Sequence, residues 1–91
     1  MTGRPTHAVL STVTDASDLI DAARELAKTA DAHGMPETAK QVRAIARDLD
    51  GWRTRLLEDG EADIAGALTS IEAATEYLPA HAVHIGRGVR R

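Results

Sequence analysis

Marked as apolar and polar positions, the chain shows three stretches in which apolar residues recur every three or four places, the spacing of one face of an α-helix. In "TDASDLIDAARELAKTADAHG" the stripe is Ala16, Leu19, Ala23, Leu26, Ala30 and His33. In "MPETAKQVRAIARDLDGWRTRLLEDG" it is Val42, Ile45, Leu49, Trp52 and Leu56. In "EADIAGALTSIEAATEYLP" it is Ile64, Leu68, Ile71, Thr75 and Leu78. All three stripes also fit a seven-residue repeat, the pattern of helices that pack side by side.

Local signals bound the three helices at about 15–33, 36–59 and 61–78. Thr14 or Asp15 can cap the first by accepting an orphan backbone N–H. Gly34 suits the left-handed position just past its end. Pro36 fits the first turn of the second helix, where a missing N–H is harmless. Glu61 and Asp63 favour the start of the third, at the positive end of the helix dipole. Pro79 is expected to stop it, because the residue before a proline is pushed out of helical geometry.

Only a few residues link the helices around Gly34 and Gly60, and short links make neighbours antiparallel. The predicted fold is all-α: an up-down-up three-helix antiparallel bundle over 15–79, with an N-terminal extension at 1–14 and a basic tail at 80–91. Within the extension, Val9, Leu10 and Val13 offer one extra turn to cover surplus length of helix two, against their β-branched content. Gly51, inside helix two, should cost about 1 kcal/mol relative to alanine.

Composition narrows the picture. The chain has 91 residues, one small domain's worth, and no cysteine, which excludes disulfides and thiolate metal sites. Alanine occurs 17 times and arginine outnumbers lysine 9 to 2, a bias typical of GC-rich genomes. No apolar run approaches the ~20 residues that cross a membrane, and the start lacks the apolar core of a signal peptide, so a soluble, cytoplasmic protein is expected. The charge is uneven. Residues 15–79 hold all 14 acids, whereas the ends carry Arg4, Arg87, Arg90 and Arg91 and no acid. An acidic body opposes binding of a phosphate backbone by the folded part.

Candidate chemistry is sparse. No nucleophile elbow or glycine-rich phosphate loop is present, and the apolar stripes hold almost no ionisable group, so no enzyme and no cofactor are expected. His33 falls on a stripe, but at a helix end, where histidine complements the dipole. His81 and His84 are the remote metal candidates; they supply two of the about four ligands that zinc needs. The spacing of Asp59, Glu61 and Asp63 matches the start of a calcium loop, but Ile64 and Ser70 stand where glycine and glutamate are required. On helix two, Lys40, Arg43 and Arg47 form an outer basic stripe that Asp48 and Asp50 interrupt, which reads as a solvated face with ion pairs. The Gly51-Trp52 order, inside a helix, excludes a resemblance to the secreted WXG-type hairpins, which carry the reverse order in a loop.

One surface remains. Opposite the stripe of helix three lie Gly66, Ser70, Ala73 and Tyr77, small residues that admit another helix beside an amphipathic ring. The large apolar side chains are few for a bundle of this length, so self-association would help it. The expected function is a non-enzymatic interaction protein, a homo-oligomer or the partner of another helix. The alternative is a small nucleic-acid-associated regulator using its basic ends, with Arg87, Arg90 and Arg91 contacting an anionic partner. Three arginines neutralise about three phosphates, so such binding would be salt-sensitive and without base readout.

Overall fold

The structure, a computed structural model, describes residues 7–59 and 64–89. They form α1 (His7–Ala32), α2 (Pro36–Asp59) and α3 (Ile64–Val89), each packed on the other two. The predicted all-α three-helix bundle is the observed architecture. Gly60, Glu61 and Asp63 lie outside the described residues, as do Arg4, Arg90 and Arg91.

The turn between α1 and α2 is closed by backbone hydrogen bonds. Gly34 adopts φ 70°, the left-handed conformation that only glycine takes without strain. Its N–H donates to the Asp31 carbonyl, and the Met35 N–H donates to the Ala30 carbonyl at 2.8 Å. This pair of bonds satisfies the carbonyls that a helix end leaves open. The Met35 side chain packs onto the core, and its carbonyl accepts the Ala39 N–H, so one residue ends the turn and begins α2. Pro36 is the first residue of α2, as its missing N–H allows.

The buried positions repeat every seven residues. Val9, Ala16, Ala23 and Ala30 form one line on α1, and Ile20 and Ala27 a second. Val42, Leu49 and Leu56 lie on α2 beside Ala39 and Ala46. On α3 the lines are Ala67 with Ala74, and Leu78 with Ile85. Alanine fills much of the α1–α2 seam, and α1 and α2 share the most extensive contact in the bundle. The result is a slender rod, 57 × 17 × 15 Å. The core falls into two clusters: a main one around Ile20, Val42 and Leu49, and a smaller one of Val9, Leu56 and Ala67 with Val13, Trp52 and Ile64 packed against it.

Three boundaries or faces differ from expectation. First, α1 begins at His7, and residues 7–14 continue the helix instead of standing apart as an extension. Thr14 and Asp15 are therefore interior residues and not caps. The Thr12 and Thr14 hydroxyls donate to the carbonyls of Ala8 and Leu10, the internal bonds of threonines in a helix. Burial of Val9 outweighs the few tenths of a kcal/mol that β-branching costs a helix.

Second, Pro79 does not stop α3, which runs on to Val89, so residues 80–89 are helix and not tail. Proline removes the bond that residue 79 would donate to the Thr75 carbonyl. Docking of the following turns offsets this loss. Ile85 is only 3% exposed, and Gly88 lies so close to Met35 that a Cβ there would come within 3.2 Å of its sulfur.

Third, α3 is rotated from its predicted stripe. Ala67 and Ala74 face the core, whereas Leu68 is 46% exposed and Thr75 is exposed. Small residues on this line let α3 approach the α1–α2 pair.

Two variants test this packing. Leu49→Ala should cost about 2–5 kcal/mol in a denaturant melt, whereas Leu68→Ala should stay within ~0.5 kcal/mol. Equal losses would mean that α3 is rotated otherwise. Pro79→Ala should stabilise the chain by about 1–3 kcal/mol, because it restores a helical bond at an exposed position. A lower melting temperature would show that docking of residues 81–85 depends on the proline.

Candidate functional site

α2 has a groove on each flank, one against α3 and one against α1. The α3 flank holds the small-residue face predicted from the sequence, but turned. Gly66, Ser70, Ala73 and Tyr77 lie beside α2, not opposite the core. Gly66 sits under the Trp52 ring: a Cβ built there would lie 2.5 Å from Cη2 and 3.0 Å from Cζ3. Its smallness thus serves a contact inside the chain. Arg55, one turn on, places its guanidinium 5.0 Å from the centre of the indole, in cation–π contact.

Further along the same flank, Ser70, Ala73 and Tyr77 line a groove of about 330 Å³ together with Ala44, Ile45 and Asp48 of α2. The floor is small and largely apolar. Tyr77 stands at one side of it with 55% of its surface exposed. Ile45 belongs to the apolar stripe predicted for α2, whereas Ala44 was not singled out from the sequence, since one alanine in an alanine-rich chain carries little signal.

The α1 flank is different in kind. Arg24 and Lys28, one turn apart on α1, lie across the seam from Arg43 and Arg47, one turn apart on α2. With Ala46 and Asp50 they line a groove of about 400 Å³. At one end Arg43 pairs with Asp31 across the seam. Near the other, Arg53 pairs with Asp50 and donates to the Ser17 hydroxyl at 3.2 Å. Lys28 bridges to Glu25 on its own helix at 3.2 Å. Arg24 and Arg47 have no ion-pair partner among the described residues. The solvated, ion-paired face expected on α2 is present at Arg43, but the fold adds two cations from α1 to it. The i, i+4 repeat of Arg24 and Lys28 was the available signal.

Three of the four histidines, His33, His81 and His84, fall at one end of the rod, whereas His7 begins α1 at the other. His33 and His84 line a groove with Met35, Arg87 and Gly88, at the α1–α2 turn. His81 lies one turn before His84 and is half-buried. Among the described residues no group of three or more His, Cys, Asp or Glu side chains is placed to hold a metal. Arg87 is exposed on the last turns of α3, so the one described arginine of the predicted basic tail sits on a helix. Among the described residues no helix is long and apolar enough to cross a membrane. Against known proteins, the chain matches no family model, no curated protein and no solved structure.

The two glycines beside Trp52 should respond oppositely to alanine. Gly51 faces open space, so Gly51→Ala should stabilise by about 1 kcal/mol through helix propensity. Gly66→Ala forces the indole to move and should destabilise by about 1–3 kcal/mol. The loss should vanish in a Trp52→Ala background. Melts of the four variants check this, and a stabilised Gly66→Ala would mean the ring is free to swing away.

Proposed function

We propose that this chain is a non-enzymatic interaction module that self-associates through the α2–α3 groove. The observation that carries the reading is the groove's shape: a projecting, half-exposed tyrosine beside a floor of small residues. Such a surface is complementary to itself. A two-fold axis through the groove would lay each Tyr77 over the Ala44, Ser70 and Ala73 of the other copy, the arrangement of a closed symmetric dimer. Tyrosine suits this place, since its ring buries area while its hydroxyl stays hydrated.

The surface of the rod supports the same occupant. α3 carries three of the five exposed large apolar residues among the described residues, Leu68, Tyr77 and Val83. It also packs less extensively on its neighbours than α1 and α2 pack on each other. The non-enzymatic part of the reading rests on the core: the buried polar residues are Thr12 and Thr38 among the described residues, and neither is ionisable.

Sedimentation equilibrium is the test. At micromolar concentration the wild type should run heavier than one chain. Tyr77→Arg and Ala44→Arg should each weaken association by at least about tenfold, as loss of a central contact does, and leave the helical circular dichroism intact. Leu57→Ser, at an exposed site outside the groove, should change nothing. A wild type that sediments as a single chain ends this reading.

A further inference from the structure

The α1–α2 groove poses an electrostatic question that self-association through α3 does not answer. Its lining carries four cations and one acid in a chain whose formal net charge is −3. At one end Asp31 pairs with Arg43 across the seam, and near the other Asp50 pairs with Arg53 within α2. Between them Arg24 and Arg47 stand without partners among the described residues, in a protein with twice as many acids as bases between residues 15 and 79. Neighbouring like charges destabilise, so this arrangement favours an anion between them.

We propose that the groove binds a small, multiply charged oxyanion, a phosphorylated or pyrophosphate-bearing molecule, clamped by Arg24 and Arg47 with Lys28 and Arg43 at its edges. Guanidinium groups match such oxygens with paired N–H donors, and a ligand held from two helices is oriented as well as attracted. Ala46 forms the floor and is 5% exposed, so no long side chain blocks the approach between the helices. The volume of about 400 Å³ lies in the range of small-ligand sites. The flanking acids limit the length of the anion. Asp31 and Asp50 close the cationic tract at its two ends, and Asp21 lies one turn before Arg24 on α1. A running nucleic-acid backbone would have to pass all three, against the repulsion of an acidic body.

The probe is sodium pyrophosphate, titrated into the full chain against sodium chloride of equal ionic strength. A ligand that binds the folded state raises its melting temperature in a saturable way. Pyrophosphate should do so, and its amide shifts in nuclear magnetic resonance should centre on Arg24, Lys28, Arg43 and Arg47. The Arg24→Gln/Arg47→Gln double variant should bind at least about tenfold more weakly, having lost both forked contacts, and should melt no lower than the wild type without ligand. Arg55→Gln, beside Trp52 on the other flank, should bind as the wild type does. A response equal to that of chloride, or an unchanged affinity in the double variant, overturns the proposal. So does retention on phosphatidylserine vesicles, or binding of duplex DNA, without any response to soluble pyrophosphate. Repeating the titration on Tyr77→Arg separates this result from the fate of the dimer, since the two surfaces share no lining residue.

Discussion

The close approach of α1 and α2 is the constraint on which the rest of the molecule depends. Alanine at 16, 23, 27 and 30 on one side, and at 39 and 46 on the other, leaves little between the two backbones. Alanine buries modest apolar area, but it loses no side-chain entropy on packing, and it is the best helix former. The seam therefore relies on length and on closeness more than on large side chains. The tight turn at Gly34 sets its register: the same hydrogen bonds that end α1 bring Met35 onto the core and start α2 one residue later.

α3 meets a pair that is already close. It can add to the rod only by presenting its own small residues, Ala67 and Ala74, and by placing a glycine beneath Trp52. This choice turns Leu68 outward and Tyr77 to the margin. A helix rotated to bury Leu68 and Thr75 would bring a hydroxyl and a bulkier side chain into a narrow seam. Apolar surface left over on α3 is thus a consequence of how closely the three axes must lie, and the α2–α3 groove is the same consequence seen from the side.

The close seam also governs charge. Long polar side chains that flank an alanine line are brought near one another across it, whatever their sign. Antiparallel packing aligns Asp31 with Arg43 and Ser17 with Arg53, and between these it aligns Arg24 and Lys28 with Arg43 and Arg47. The first alignments are mutually satisfying and the last is not. An overall acidic balance says nothing about such a local field, because screening in physiological salt confines it to within about 8 Å.

Helix number, helix order and the first turn were legible in the sequence, since they follow from local causes: seven-residue periodicity, glycine in a left-handed position, proline in a first turn. Much of the stripe of α2 was legible too, because Val42, Leu49 and Leu56 are large and recur at seven-residue spacing. Where α1 begins and where α3 ends was decided by tertiary contacts. Val9 extends α1 because Leu56 and Ala67 cover it, and Ile85 carries α3 past Pro79 because the α1–α2 turn receives it. The rotation of α3 was hidden for a related reason. In an alanine-rich helix, hydrophobicity points to leucine, but the inward face is chosen by the space that α1 and α2 leave. Which cations meet was likewise beyond a linear reading, because Arg24 and Arg47 become neighbours only when two antiparallel helices set one residue of each against the other.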